Sequence, residues 1–213
     1  MSTYAVIPIT KLESVKSRLY PFLNSRLRRE LSFKMLTDIT NAIKNSKEIT
    51  QTVVVTPDDR VLEVAKRLGV NTLKENFARG VNAAVSFAME YCLKKGASKA
   101  IILPSDIPLL SHEDLHRIIE IGTTNHSIVI GPSVRFDGTN VLLCNPPRII
   151  QTHYEQNSFR SHIAEAIKNK VKVVIYLSKR IMLDIDSPKD LQDFLKVKND
   201  TLTHKFLKEQ RVL

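Results

Sequence analysis

Tryptophan is absent from this 213-residue chain, and cysteine, glycine and long apolar runs are all scarce. Each shortage excludes something. Two cysteines, Cys92 and Cys144, lie outside any Cys-x-x-Cys pair, so they build no disulfide framework and read as reduced packing residues. Aromatics stand at 6%, which leaves few platforms for stacking bases, and no nucleic-acid docking motif is present. Six scattered glycines (Gly69, Gly80, Gly96, Gly122, Gly131, Gly138) form neither G-x-x-x-x-G-K-[ST] nor G-x-G-x-x-G. Any phosphate must then be held by side-chain cations, single backbone amides and a metal. Apolar runs such as residues 100–103 fall far short of the roughly 20 residues that span a bilayer. The first residues show no basic segment ahead of an apolar one. The expected setting is the cytoplasm, with no membrane partner.

Positive charge is what the chain has in excess. Thirty-two Lys and Arg against 22 Asp and Glu give a formal +10, which implies an anionic partner. Seven basic residues against two acidic ones fall between positions 11 and 34, and five against two between 196 and 213. Without aromatic platforms, small phosphorylated ligands are favoured. A basic nucleic-acid-binding protein without catalysis is the distant alternative.

Short β-rich runs alternate with helical patterns, predicting one α/β domain with a largely parallel sheet. Strands are expected at 4–9, 52–56, 70–73, 99–104, 127–130, 141–144, 171–177 and 181–183. Helices are expected at 26–44, 61–68, 81–93, 115–121, 159–168 and 191–197. Thr56, Ser111 and Ser187 each precede an acid by three residues, a capping-box spacing, with Pro57 and Pro188 expected at first helical positions. The domain is expected over residues 1–197, followed by a basic tail at 198–213.

In such sheets ligands sit beyond the carboxyl ends of the strands, so residues between a strand and its capped helix matter most. The loop after the first strand carries Lys11, Lys16 and Arg18, a flexible ammonium and a forked guanidinium suited to a triphosphate. The alternative for these is a solvated basic face. His112-Glu-Asp-Leu-His116 matches the H-E-x-x-H zinc pattern, but it lies at a helix start with no third ligand, and the helix-start reading is preferred. Asp106 follows the most apolar strand, and Asp184 and Asp186 stand at i, i+2, facing one way in an extended segment. Individually each reads as a turn or cap residue. Clustered, three carboxylates repel unless a cation holds them, and oxygen-only ligands favour Mg²⁺.

Seven segments, in order, carry a resemblance. They are A-V-I-P (5–8) with K-x-x-x-x-K-S-R-L (11–19), V-V-x-P-D (54–58), E-x-x-x-x-G-x-N-x-A (75–84), L-P-x-D-x-P-L-L (103–110), D-G-T-N (137–140), S-F-x-x-H (158–162) and L-D-I-D-S-P-x-D-L (183–191). Together they resemble the 2-phospho-L-lactate guanylyltransferase family of coenzyme F-420 biosynthesis. That resemblance implies a GT-A-like nucleotide-diphospho-sugar transferase fold, a three-layer α/β/α sandwich with a mixed, mostly parallel sheet. It implies GTP as co-substrate, a small phosphorylated carboxylic acid as acceptor, and a homodimer whose interface no segment marks. On the family's pattern Pro8, Lys11, Lys16 and Arg18 line the triphosphate loop, Glu75, Gly80 and Asn82 lie near the guanosine, and Asp106, Asp184 and Asp186 hold the metal. Lys16, Arg18 and Asp106 are the implied catalytic residues; Thr139, Asn140 and Ser158 are the implied acceptor residues. His162 reads as packing or acceptor orientation. Phosphoenolpyruvate and 3-phosphoglycerate are alternative acceptors. The chain departs from the family at 154–157, where Glu155 and Asn157 stand in place of glycines, and Glu155 near an anion is unfavourable unless it points away.

Overall fold

A computed structural model describes residues 2–10, 16–20, 22–76, 79–210 and 212. Along the chain run β1 (Thr3–Pro8), α1 (Ser25–Lys44), β2 (Ile49–Thr56), α2 (Asp59–Arg67), β3 (Asn71–Lys74), α3 (Val81–Lys94) and β4 (Lys99–Ile102). There follow α4 (His112–Ile121), β5 (Ser127–Pro132), β6 (Thr139–Asn145), α5 (Ser158–Lys168), β7 (Lys172–Ile175), α6 (Lys179–Met182), α7 (Pro188–Lys196) and α8 (Leu202–Glu209).

The apolar run of β1 has no polar face because both faces are covered. Ala5 and Ile7 pack under α1, α2 and α4, whereas Tyr4 and Val6 pack under α3 and α5. The seven strands are ordered β3-β2-β1-β4-β6-β5-β7, with β6 antiparallel to both neighbours and the other pairings parallel. This is the expected three-layer α/β/α sandwich with a mixed, mostly parallel sheet. Cys92 and Cys144 are free and buried.

Two local expectations are corrected. Residues 181–183 are not a strand: α6 covers Lys179–Met182 and buries Ile181 in the core beneath β5 and β6. A three-residue apolar run fits one buried helical turn as well as a strand. Thr56 does not cap α2; Asp58 does, accepting from the Arg60 N–H at 3.0 Å, while Thr56 Oγ1 accepts from the Asp58 N–H. Pro57 therefore precedes the cap. Ser111 and Ser187 both form full capping boxes, with Asp114 and Asp190, and Pro188 is the first residue of α7. His116, at the helix start as expected, pairs with Glu48, Nδ1 to Oε1 at 2.6 Å.

The segment read as a basic tail carries α8. Phe206 and Leu207 of α8 join Leu31 and Met35 of α1 and Phe194 of α7 in a third apolar cluster, and Lys205 and Lys208 face outward. Asp38 of α1 accepts from the Leu202 and Thr203 N–H groups, tying down the helix start. No helix among the described residues is long and apolar enough to cross a membrane.

Candidate functional site

Because β6 runs against β4, its first residues and the last residues of β1 and β4 open on the same edge of the sheet. The strand order also turns there: β2 and β3 lie to one side of β1, and β4, β6 and β5 to the other. Such a switch point leaves a crevice beyond the strand ends. A cavity of about 440 Å³ occupies it, lined by Pro8, Lys16, Asp106, Thr139, Asn140, Ser158, Asp184 and Asp186 among others.

Lys16 is held in left-handed backbone conformation (φ 53°, ψ 37°) at the start of a 3-10 turn, Ser17–Leu19. Its Nζ donates to Asp106 Oδ2 at 2.7 Å and to Asp186 Oδ1 at 2.5 Å, with only 10% of the side chain exposed. Burial works against its charge, but the two carboxylates outweigh it and raise its pKa above 10.5. Burial likewise disfavours the Asp186 charge, and Lys16, Arg18 and Arg135 overcome this, holding its carboxyl below the ordinary range. Asp184 fares differently. Burial first, then the nearby Asp106 charge, push its pKa up to about 6, and a hydrogen bond from Asn140 Nδ2 at 3.1 Å offsets this only in part.

The remaining expected residues divide clearly. Arg18 is exposed on the 3-10 turn and lines an adjoining hollow that also contains Asp184 and Asp186. Asn140 spends its amide on the Ile181 carbonyl (2.9 Å) and Asp184, so it braces the acid segment. Thr139 and Ser158 are buried and line the same cavity, their hydroxyls 3.2 Å apart. Glu75 lines a different hollow with Arg79 and Phe87, where burial raises its pKa. Gly80 precedes α3 at φ 90°, a conformation open to glycine. Asn82 accepts from the Tyr154 N–H at 2.8 Å and donates to Glu155 Oε1, clamping the 154–155 segment from outside the main cleft. Lys11 lies outside the described residues.

Glu155 does not turn away: it lines the cleft with Ser158, Asp184 and Asp186, steadied by Asn82. Asn157 adopts φ 58° and ψ 33°, the left-handed region that Asn tolerates best after Gly, so the backbone shape a glycine would give survives. Sequence reasoning missed Tyr154 as a lining residue and gave His162 no definite role. The S-F-x-x-H spacing was the available signal, since it puts His162 one helical turn beyond Ser158.

Among the described residues, no group of three or more His, Cys, Asp or Glu side chains is arranged to hold a metal ion. Lys16 lies between two of the three expected acids. Arg18 and Arg135 add positive charge near Asp186, while Asp184 keeps a pKa raised by burial first and by the Asp106 charge next. The donor set, all carboxylate oxygen, fits a hard divalent cation such as Mg²⁺.

Comparison with known proteins places this geometry. The family described as "Guanylyl transferase CofC like" matches residues 3–213. A 2-phospho-L-lactate guanylyltransferase from Methanobrevibacter smithii is 33% identical over 98% of this chain and 91% of its own length. One of the same name from Methanocaldococcus jannaschii is 35% identical over 95% and 87%. A phosphoenolpyruvate guanylyltransferase from Rubrobacter xylanophilus is 33% identical over 90% and 92%. Among solved structures, a Desulfovibrio desulfuricans G20 protein described as a nucleotide-diphospho-sugar transferase superposes with TM-score 0.81 at 15% identity, over 99% of this chain and 96% of that one. A Methanothermobacter nucleotidyl transferase superposes with TM-score 0.66 at 16% identity, over 98% and 99%. These likenesses establish the fold.

Proposed function

From the premise that the chain belongs to the CofC-like guanylyl transferase family, we propose that it transfers GMP from GTP to the phosphate of 2-phospho-L-lactate, releasing pyrophosphate, in coenzyme F-420 biosynthesis. The observation that carries this reading is the cleft itself. A Lys16–Asp106–Asp186 cluster and the residues Thr139 and Ser158 line one cavity at the switch point of a nucleotidyltransferase-like sheet.

In the reaction an oxygen of the acceptor phosphate attacks the α-phosphorus of GTP. A new P–O bond forms as the bond to the β-phosphate oxygen breaks, and pyrophosphate departs with the electron pair. The nucleophile is already ionised near pH 7, since a phosphate's second pKa is about 6, and no general base is required. Both reactants are polyanions, so neutralising and aligning them is the protein's main work. Lys16 and Arg18 supply positive charge for the triphosphate, and Lys16 sits within reach of both acids that frame it. Thr139 and Ser158 offer hydroxyls to the acceptor. Asp106, Asp184 and Asp186 would hold Mg²⁺, which supplies Lewis-acid stabilisation when bound with the nucleotide. Glu75, Gly80 and Asn82 border the guanosine side in this reading, with Pro8 and Lys11 along the triphosphate loop. We place the enzyme in the cytoplasm, as a homodimer whose mass light scattering would measure.

A second acceptor has support of its own, because the Rubrobacter relative is named for phosphoenolpyruvate. Both compounds, and 3-phosphoglycerate, carry a carboxylate and a phosphate within a few atoms. Pyrophosphate release measured with GTP, ATP and CTP against each acceptor, with and without Mg²⁺, tests the reading. Release that requires GTP, Mg²⁺ and 2-phospho-L-lactate supports it. Faster turnover of phosphoenolpyruvate replaces the acceptor. No release with any pair, joined to salt-sensitive duplex binding, returns the basic surface to nucleic acid.

A further inference from the structure

The hydroxyl wall of the cleft rests on a buried polar group that the transfer step leaves unused. His162 is wholly buried on α5, and both its ring nitrogens have partners. The His153 backbone N–H donates to Nε2 at 2.9 Å, and Nδ1 lies 3.0 Å from Thr139 Oγ1. A backbone amide can only donate, so Nε2 must present its lone pair. In a neutral imidazole the hydrogen is then on Nδ1. Burial keeps the ring neutral, pushing its pKa down to about 4 with a smaller contribution from His153, against an opposing hydrogen bond to the Ser158 backbone carbonyl, which needs the ring hydrogen on Nδ1 as well. Tyr154 packs edge-on against it at 4.9 Å between ring centroids, fixing its plane.

Counting hydrogens gives the consequence. Thr139 and Ser158 own two hydroxyl hydrogens, and one is spent between them. Were Nδ1 an acceptor, the second would turn to the ring and the cleft would meet lone pairs only. Because Nδ1 donates, the second hydrogen stays with the hydroxyl pair and has no acceptor among the described residues. Both residues line the cleft.

We propose that His162 is a positioning residue: locked in its Nδ1–H form by the His153 amide, it makes the Thr139–Ser158 pair a net hydrogen-bond donor to an anionic oxygen of the acceptor. The proposal rests on the reading that the acceptor lies against Thr139. Its role is specificity for an anion, since a donor pair rewards a carboxylate or phosphate oxygen and a lone-pair wall repels it.

Steady-state kinetics of the full chain with GTP and 2-phospho-L-lactate, for His162→Leu, His162→Asn, Thr139→Val and the Thr139→Val/His162→Leu double variant, test it. A hydrogen bond to a charged group sets the expected rise in acceptor KM for His162→Leu at roughly 10- to 100-fold, with GTP KM and kcat within about 3-fold. His162→Asn, whose amide nitrogen reaches the Nδ1 position, recovers most of the loss. The double variant is no worse than Thr139→Val alone. An unchanged acceptor KM in His162→Leu beside a raised one in Thr139→Val overturns the proposal and leaves the acceptor site standing. An unchanged KM in Thr139→Val overturns the placement of the acceptor, and the proposal with it. Should His162→Leu not fold, nitrogen-15 spectra of the wild-type imidazole decide: a protonated Nδ1 supports the proposal, and a protonated Nε2 overturns it.

Discussion

Asp114 and Asp184 are both acids withdrawn from water, and they sit in opposite circumstances. Asp114 is fully buried, and its two oxygens accept from the Ser111 N–H and hydroxyl, the Tyr176 and Ser178 hydroxyls and the Arg180 guanidinium. Burial raises its pKa, but these donors, Arg180 foremost, more than reverse that and hold it below 3.8. Asp184 accepts only from the Asn140 amide and its own backbone N–H among the described residues, and burial first, then the like-charged Asp106, lift its pKa to about 6. The first acid is saturated and serves the fold. The second is left in want of positive charge, the condition in which a site gains from binding a cation or a cation-bearing ligand.

Removing the saturated acid should therefore cost stability and little else. Asp114→Ala leaves Arg180, Ser178 and Tyr176 without their common acceptor. Breaking such a buried pair costs about 3–5 kcal/mol, and Arg180 keeps half its surface in water, so roughly 3 kcal/mol is expected. Urea unfolding measures this, and turnover of the folded fraction should stay within about 2-fold. A lost turnover with intact stability would reverse the roles assigned to the two acids.

On the other side of the comparison, Asp106→Asn should cost less stability than Asp114→Ala, because Asn keeps an oxygen for Lys16, and should lower kcat by at least ~100-fold, a loss of about 2.7 kcal/mol in transition-state stabilisation. Lys16 loses one of its two ion-pair partners but retains Asp186. Near-wild-type turnover would remove Asp106 from the reaction.

Asp184 sharpens the contrast through pH. Its folded pKa, about 6, exceeds the ordinary 3.8, so the folded state favours its protonated form. The stability this contributes is full below about pH 4 and is lost as pH rises through 6. Asp184→Asn keeps an oxygen for Asn140 and carries no charge at any pH. At pH 8 the variant should exceed wild type by on the order of 2 kcal/mol, and at pH 4 the two should match. An equal difference at both pH values would show that the gain is not electrostatic.

How far the sequence foretold this contrast can be read from individual residues. The strands and most helices were legible because burial on both sheet faces leaves continuous apolar runs, as at residues 4–7 and 100–103. The acids beyond strand ends were legible too, since position in an α/β sheet marks them before any contact is known. Local spacing could not say that Lys16 would reach Asp186 across 170 residues, nor that Asp114 would gather Tyr176, Ser178 and Arg180. Those are partnerships of the folded chain. Helix α8 was hidden for another reason: the excess of basic over acidic residues in 198–213 drew the reading, although Thr203, His204, Phe206 and Leu207 form the face that is buried. The strand expected at 181–183 failed because three apolar residues carry no period.

The smallest expected effect compares the caps that stand beside the two acids. Ser111 caps α4 next to Asp114, and Ser187 caps α7 next to Asp186. Each Ser→Ala change removes one hydroxyl acceptor from a helix start and should cost about 1 kcal/mol in unfolding free energy. Their consequences for turnover should part. Asp190, the partner of the Ser187 hydroxyl, also accepts from the backbone N–H groups of Asp186 (3.2 Å) and Ser187 (2.8 Å), so loosening that box frees the segment carrying Asp186. Small misplacements of a group that frames polyanions are costly, and Ser187→Ala should lower kcat/KM for GTP by roughly 3- to 10-fold. Ser111→Ala, at the same cost in stability, should leave it unchanged, because Asp114 still keeps Arg180, Ser178 and Tyr176 and faces no ligand. Equal losses of turnover in the two variants would mean that activity follows global stability, and the division between a structural and a functional acid would collapse.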